Sequence, residues 1–471
     1  MMCRIILSVT LLLAISGCAL VGPDYKRPQN EVPALFSEPD VASDNAAVSR
    51  TWWELYQDPV LNDLVTQAQH NNTDIKLAVA RVEEADAFLR EVGSALLPTI
   101  SLDSTATRSR VTEAGAFPVF SGNPRNNFIV NIGTSFEIDF WGKVRRAKES
   151  ARAEALSSRY GRDTVELSLA GLVASNYLQM RSLEAQIALS QDSLRSRQDS
   201  LALTKRRLEG GVASALDVHQ AEVASSNIVA QIADLTRLRA LALHQLATLT
   251  GVLDLKLDSA DIRTLPIPPV PPAGLPSSLL EARPDVRQAE QDMIAANARI
   301  GVAKAALYPS ISLTASLGAE SIELGNILKQ AARIWSGGLG LTLPIFDAGR
   351  LNSRVDQASA QQRQALASYE GSIQTAFREV NDALVSVRQN REREAALQAS
   401  EVASKKALQI AENRYKSGYA AYLDVLDAQR VYNDTALAFI QSRQARLVAT
   451  VDLFKALGGG WHAEQLTEVK N

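Results

Sequence analysis

The chain contains one pattern twice, and this duplication constrains its fold more than any other feature. The segment LPTISL at 97–102 returns as YPSISL at 308–313, 211 residues later. A Gly-x4-Leu-Asp-Val motif at 211–218 returns at 418–425, 207 residues later. The difference between the two offsets falls in a predicted hairpin after Pro98, where insertions are well tolerated. The two offsets therefore indicate a duplicated structural unit.

Long uninterrupted helices are predicted in both repeats. No proline occurs between Pro124 and Pro266, and none occurs after Pro344. Each repeat is predicted to contain three helices: Thr73–Leu97, Lys143–Glu209 and Val212–Thr250 in the first, and Asp285–Leu307, Arg350–Ser417 and Ala420–Leu457 in the second. A helix of 67 residues would be about 100 Å long, at a rise of 1.5 Å per residue. A hairpin at Gly210-Gly211 would return the chain along this helix, with Gly211 in the left-handed conformation. Apolar residues recur every seven positions, which indicates left-handed coiled-coil packing: Val173, Met180, Ile187, Leu194, Leu201 and Leu208.

Each repeat also contains two segments that alternate between apolar and polar residues. Phe128, Val130 and Ile132 alternate with Ile129, Asn131 and Gly133 in the first repeat, and the second repeat has the same pattern at 338–345. This pattern is typical of a transmembrane β-strand, although a soluble β-hairpin with one buried face would also produce it. Four strands cannot close a barrel, and open edges cannot face lipid. If the strands lie in a membrane, several chains must therefore share the barrel.

The N-terminus predicts export and a lipid anchor. An apolar run at 5–15 is long enough for a secretory signal but too short for a membrane span. Ser16-Gly17-Cys18 completes a bacterial lipobox, in which Cys18 is acylated, although a plain signal peptide with a chance cysteine is the alternative. An aspartate just after the acylated cysteine is the usual signal for inner-membrane retention, and here Cys18 is followed by Ala19 and Leu20. We therefore expect an anchor in the outer membrane.

Composition and motifs argue against several classes of protein. The net charge is −3 and the charged residues are scattered, which is not typical of a nucleic-acid binder. The sequence has no phosphate-binding loop, no metal-spaced His/Cys set and no nucleophile elbow. We therefore expect no catalytic residues, no metal site and no cofactor beyond the covalent lipid on Cys18.

Several motifs then give the chain a family resemblance. They follow one another along nearly the whole mature chain: Cys18-x4-Pro23-Asp24-Tyr25, Trp52-Trp53 with Asp58-Pro59, Asn72-x-Asp74, the two Gly-x4-Leu-Asp-Val motifs and Ala456-Leu457 before a Gly-rich end at Trp461. The set resembles the TolC-like outer-membrane factors of tripartite efflux pumps. Within them it is similar to the NodT-type lipoproteins that work with resistance–nodulation–division pumps.

This resemblance implies a mainly α-helical protein with a membrane β-barrel. Three copies of the duplicated chain would form a twelve-stranded β-barrel that continues into a long α-helical coiled-coil barrel. The trimer would sit in the outer membrane and extend into the periplasm, where an adaptor (membrane fusion) protein joins it to the inner-membrane pump. Its function would be passive efflux of small molecules. A duct for type I protein secretion and a lipid-anchored structural coiled-coil protein are the alternatives.

The resemblance also fixes the predicted boundaries. They are 1–17 for the signal peptide, 18–72 for the lipid-anchored segment and equatorial region, 73–250 for repeat 1 (strands in 98–141, helical hairpin 143–250), 251–284 for a proline-rich equatorial linker, 285–457 for repeat 2 (strands in 309–347, helical hairpin 350–457) and 458–471 for a tail.

The tips of the two helical hairpins are predicted to contact the adaptor, as they do in the resembled family. The alternative is that glycine and small residues there only permit a tight turn, and both roles are compatible. The residues concerned are Gly211, Val212, Ala213, Gly418, Tyr419 and Ala420.

A pore constriction is predicted next to the second tip. Asp424 and Asp427 are three residues apart and share one face of a helix, and the resembled family has its constriction ring here, beside Leu423. Six carboxylates in a trimer would favour cations. Alternatively, acidic residues near a helix start only complement the helix dipole. Arg430 lies at i+3 from Asp427, at the spacing for a salt bridge.

A latch that holds the duct closed is the last predicted feature. In the resembled family, the aspartate that matches Asp217 accepts contacts from a tyrosine matching Tyr415 and from an arginine matching position 420. This sequence has Ala420, so one of the two contacts is missing. Ser214-x2-Asp217 also resembles a capping box, which would explain the aspartate without a latch.

Overall fold

A computed structural model describes residues 20–29, 33, 36, 49–112, 114, 124–271 and 281–460. The predicted signal peptide, the lipobox with Cys18 and the tail beyond Gly460 lie outside these residues. Within them the α-helices are α1 (Pro59–Asn71), α2 (Thr73–Ser94), α3 (Lys143–Glu209), α4 (Ala215–Thr250), α5 (Pro284–Ala305), α6 (Arg350–Lys416) and α7 (Tyr422–Ala456), and the strands are β1 (Thr99–Ser109), β2 (Arg125–Ile138), β3 (Ser310–Ser321) and β4 (Arg333–Thr342).

The two long helices, α3 and α6, have 67 residues each. Their proline-free sequences allow an unbroken ladder of backbone hydrogen bonds, which corresponds to about 100 Å of helix. In the described residues every helix is either too polar or too short to serve as a membrane span.

Some helix ends differ from the prediction by two or three residues. Helix α2 was predicted to continue to Leu97 but ends at Ser94, and Leu97 then donates to the Ser94 carbonyl at 2.9 Å in a tighter turn. The reason is that a residue before proline disfavours the helical conformation, and Pro98 follows. Helix α4 begins at Ala215 and not at Val212, because the tip turn occupies the residues before its N-cap, Ser214.

The four strands form one antiparallel sheet in the order β1-β2-β3-β4. Strand β2 belongs to the first repeat and β3 to the second, so their pairing joins the two repeats. Ile132 of β2 lies opposite Leu102 of β1 and Leu317 of β3. Strands β1 and β4 are open edges, and apolar side chains on them, such as Ile100 and Leu339, are exposed in the single chain.

Two compact units divide the chain, and each takes segments from both repeats. The first consists of Met1–Gln29, Arg81–Ser158 and Ala289–Tyr369, and the second consists of Asn30–Ala80, Arg159–Gln288 and Glu370–Asn471.

In the first unit, the N-terminal segment 20–29 docks against α3 and α5. Gly22 lies so close to Gly301 that a Cβ on Gly22 would come within 2.5 Å of the Gly301 Cα atom. The buried Arg146 binds Asp24 at 2.6 Å, and Arg27 binds Glu290 at 3.0 Å. A close backbone approach with charged pairs on either side therefore fixes the register of this segment.

In the second unit, the Trp-Trp segment forms the centre of the main hydrophobic core. Trp52 is fully buried and stacks on Phe454, with 5.4 Å between the ring centroids. The hydroxyl of the buried Tyr56 lies 2.7 Å from the Thr450 hydroxyl. Asp58 caps α1 by accepting from the Val60 backbone N–H at 2.9 Å. These contacts tie the N-terminal region to α7.

We predict that truncating a side chain of this core destabilises the protein, whereas truncating a surface side chain does not. Leu61 is fully buried in the second unit, whereas Leu253 is 92% exposed. Leu61→Ala should lower the free energy of unfolding by about 2–5 kcal/mol, because it removes buried methyl groups and leaves a cavity. Leu253→Ala is the matched control and should change it little. Denaturant titration of the solubilised protein measures both, and equal effects would contradict the assigned core.

Candidate functional site

The tips of the two helical hairpins have the same backbone geometry. Gly211 and Gly418 follow α3 and α6 with φ of 72° and 83°. The N–H of the residue after each glycine donates to the carbonyl five residues earlier, at 2.9 Å in the first tip and 2.8 Å in the second. This pattern is the Schellman motif, which needs the left-handed conformation that glycine adopts without strain. The predicted left-handed conformation of Gly211 is confirmed.

Both tips present apolar side chains at the surface of the single chain. Val212 is 75% exposed and Tyr419 is 78% exposed. Ala213 and Ala420 lie beside them, half-buried. Exposed apolar groups on short turns between charged helix ends are suited to contact with another protein. The structure therefore places the predicted tip residues at two exposed loops, but it contains no partner.

Arg207 connects the first hairpin to the second. Its guanidinium donates to the Tyr415 carbonyl at 2.9 Å and lies 4.2 Å from the centre of the Tyr415 ring. The same carbonyl, in the last turn of α6, also accepts from the Gly418 N–H at 3.0 Å, so Arg207 adds a second hydrogen bond to it and a cation–π contact with the ring. Arg414 matches Arg207 in the duplication, yet it reaches only the Tyr419 carbonyl of its own tip, at 3.5 Å. The duplicated sequence therefore makes unequal contacts.

Tyr415 is buried next to this arginine. Its ring lies 5.7 Å from that of Tyr422, and both pack against Ala221 and Val425. Burial raises the pKa of Tyr422, and the neighbouring Tyr415 and Asp217 act in the same direction. The hydroxyl of Tyr415 lies 3.5 Å from that of Thr204. The tyrosine is therefore part of the packing between the hairpins.

Asp217 forms the capping box that the sequence allowed. Its carboxylate accepts from the Ser214 backbone N–H at 3.1 Å, and the Ser214 hydroxyl accepts from the Asp217 N–H at 3.2 Å. The capping interpretation is confirmed. The predicted latch between Asp217 and Tyr415 is absent from the hydrogen bonds of the described chain, because each side chain is oriented toward another partner.

The predicted constriction residues lie on the first turns of α7. Asp424 is in the first turn, and the N-cap residue Ala421 provides no side-chain cap. Arg430 binds Asp427 at 2.8 Å and approaches Asp434 at 3.6 Å. Asp427 raises the pKa of Arg430 by accepting its hydrogen bond. The predicted pairing of Arg430 with Asp427 is confirmed, and Leu423 is exposed beside it.

Arg430 thus lies close to two carboxylates on this side of α7, those of Asp427 and Asp434. Asp424, Asp427, Asp434 and Arg430 are all exposed in the single chain. Such a surface attracts cations, and the attraction grows when several copies bring their carboxylates together. Among the described residues, no group of three or more His, Cys, Asp or Glu side chains is placed to hold a metal ion.

The comparison with known proteins also shows the duplication. The profile of the outer membrane efflux protein family matches residues 64–252 and 275–459, in two segments that correspond to the two repeats. The chain is 34% identical over 471 residues to the antibiotic efflux pump outer membrane protein ArpC of Pseudomonas putida, covering 97% of this chain and 96% of the relative. It is 33% identical over 454 residues to the cation efflux system protein CusC of Escherichia coli, covering 95% and 97%.

A solved structure shows the same fold. The outer-membrane channel OprN superposes with a TM-score of 0.87 at 30% sequence identity, covering 94% of this chain and all of that chain. The predicted fold class and the predicted family are confirmed.

We predict that Asp217 acts through its cap. Ser214→Ala and Asp217→Ala each break one half of the capping box, and each should lower stability by about 0.5–2 kcal/mol. Thermal unfolding measures this loss. Neither change should alter ion conductance in a planar bilayer. Ser214 is the matched control for a latch, because it shares the cap but has no latch role. An increase in conductance in Asp217→Ala but not in Ser214→Ala would contradict this prediction and support a latch role for Asp217.

Proposed function

Because the chain belongs to the outer membrane efflux protein family, we propose that it is the outer-membrane exit duct of a tripartite efflux pump. In this proposal the duct is passive, is not an enzyme, and conducts small molecules delivered by an inner-membrane resistance–nodulation–division pump through a periplasmic adaptor. The observation that carries the proposal is one chain that joins an open antiparallel sheet to two helices of 67 residues.

The open sheet supports a homotrimer. Strands β1 and β4 have no neighbour on their outer sides in the described chain, and unpaired backbone groups cannot face lipid. Pairing β4 of one copy with β1 of the next satisfies both edges. Three copies would give twelve strands, which is within the range of closed membrane barrels.

The tips and the relatives support the partners and the cargo. Val212 and Tyr419 offer exposed apolar groups for an adaptor at the ends of both hairpins. The relatives described above are named for efflux of antibiotics and of cations, which are small cargoes. Their names favour a small-molecule duct over the alternative of type I protein secretion.

A lipid on Cys18 would add a second attachment to the outer membrane. The chain is docked from Leu20 onward, only two residues after this cysteine. The Val21 N–H donates to the Trp141 carbonyl at 3.1 Å, just before the start of α3. This contact would hold the anchor near the end of β2. A single lipid binds a membrane more weakly than an inserted barrel does.

For the lipid, we predict that radiolabelled palmitate enters the wild-type protein and is absent from Cys18→Ala. The variant should still reach the membrane in part, because the barrel supplies most of the attachment. Fluorography of the purified protein measures the label. Label in both proteins, or in neither, would contradict lipidation at Cys18.

For the assembly, we predict three chains per particle in native mass spectrometry of the detergent-extracted protein. The reason is that four strands leave two edges that only other copies can pair. A single chain that inserts into bilayers and conducts ions would contradict the shared barrel.

For the constriction, we predict that the resting duct has low conductance, prefers cations and is blocked by multivalent cations. Six carboxylates from Asp424 and Asp427 would hold such an ion by summed Coulomb attraction in a narrow tube. The double variant Asp424→Ala/Asp427→Ala should raise conductance and lose the block while the yield of trimer stays unchanged. Single-channel recording measures these effects.

Asp382 provides a matched control for this experiment, because it is an exposed carboxylate that pairs with Arg378 elsewhere on α6. Asp382→Ala should leave the block unchanged. Arg430→Ala should loosen the constriction, since it removes the partner of Asp427. If the double variant kept its cation block, Asp424 and Asp427 would only complement the helix dipole, and the expected change would be a loss of about 0.3–1 kcal/mol of stability per site.

A further inference from the structure

Arg197 of α3 is a buried cation that lacks a counter-ion. Arg197 is only 8% exposed. Within the described chain its guanidinium makes one hydrogen bond, which it donates to the Ala224 carbonyl of α4 at 2.8 Å. No carboxylate of the described residues forms an ion pair with it. A guanidinium has five N–H donors in a planar fork, so most of its donors are unused. Isolated buried charges are costly, and proteins normally pair them.

These unused donors open into a groove between α4 and α7. Arg197 lines this groove, which has a volume of about 640 Å³. The volume is typical of sites for small organic ligands. The walls are largely apolar and include Leu216, Val223, Ile228 and Leu426.

Asn433 supplies a second buried polar group in the same lining. The residue is 4% exposed, and its side-chain oxygen has no hydrogen-bond partner. An unsatisfied buried amide oxygen is uncommon and costs free energy. An apolar groove with a few polar groups is the usual form of a ligand site, and Arg197 would gain hydrogen bonds from a ligand there.

We propose that this groove binds amphipathic small molecules that carry a carboxylate. The carboxylate would accept paired hydrogen bonds from Arg197, because a planar guanidinium matches a planar carboxylate. The apolar body would lie against the leucine, valine and isoleucine walls.

The charged groups near Arg197 do not pair with it, so an external anion can. Burial lowers the pKa of the Arg197 guanidinium, and Tyr422 and Asp434 only oppose this effect. Asp434 and Asp427, which also line the groove, both lie close to Arg430, at 3.6 and 2.8 Å. The acids at the rim are therefore engaged with Arg430, and Arg197 remains the cation without an anion.

The proposal rests on the proposed function and deepens it. The groove contains Asp427 and Arg430, two residues of the predicted constriction, so a ligand bound there would lie next to the narrowest part of the duct. Amphipathic organic acids would then have a resting site beside that point.

Three probes with one ring system test the site: 1-naphthoate, the neutral 1-naphthamide and the cation 1-naphthylmethylammonium. Isothermal titration of the full-length trimer in a non-ionic detergent should show saturable binding of naphthoate, one per chain. Naphthamide should bind about tenfold more weakly or worse, because it loses the charge-assisted pair, and the ammonium should not bind. A wild-type trimer that does not bind naphthoate would overturn the proposal, including the case in which a carboxylate of a second copy already occupies Arg197.

Two groove variants and one matched control localise the binding. Arg197→Gln should weaken naphthoate binding about tenfold and leave naphthamide unchanged, since only the charge is lost. Arg195→Gln makes the same change on the same helix at an exposed arginine paired with Asp192, and it should bind naphthoate as the wild type does. Asn433→Asp keeps Arg197 but adds a carboxylate to the groove, and it should also weaken naphthoate binding. Undiminished binding in Arg197→Gln or in Asn433→Asp, with trimer confirmed by native mass spectrometry, would overturn the site.

Conductance measured on the same samples separates this proposal from the proposed function. A trimer that conducts ions but binds no naphthoate would contradict the proposed ligand site and leave the proposed duct function intact. A protein that binds naphthoate through Arg197 but does not conduct ions would contradict the duct function and leave the ligand site intact.

Discussion

The burial of apolar side chains along two very long helices is the constraint on which the rest of the structure depends. A helix of 67 residues gains most of its stability in water from packing along its length and not from its own hydrogen bonds. The second half of each long helix has an antiparallel companion, α4 or α7, that the chain can supply only by reversing direction sharply. The two glycines at the tips make that reversal possible. The hydrophobic core around Trp52 and Phe454 then secures the far end of α7.

Much of the fold could be predicted because its signals are local or periodic. The absence of proline, the heptads and the alternating segments identified the long helices and strands, and the duplication provided each of them twice. The pairing of Arg430 with Asp427 was also predictable, since it depends only on a spacing of three residues along one helix. The helix ends differed by a few residues where a proline or a capping serine acted on the backbone.

Contacts between distant segments could not be predicted. The hydrogen bond from Arg207 to the Tyr415 carbonyl joins two hairpins about 200 residues apart in the sequence. Arg197 lies three residues after Leu194, at a position that heptad packing turns inward, but the groove it lines depends on how three helices pack, which the sequence does not show. For Asp217, local geometry and family resemblance suggested different roles, and the local hydrogen bonds decided in favour of the cap. Side-chain partners across a fold depend on packing that a single sequence does not display.

The contact between Gly22 and Gly301 restricts which substitutions this protein can accept during evolution. Most buried positions tolerate some exchange of side chains, because their neighbours can shift. Here backbone meets backbone, and a Cβ on Gly301 would come within 2.9 Å of the Val21 carbonyl oxygen. Neither position can gain an atom unless the other segment moves away. The two glycines are therefore required together, and Gly22 is needed for a second reason as well, its φ of 103°.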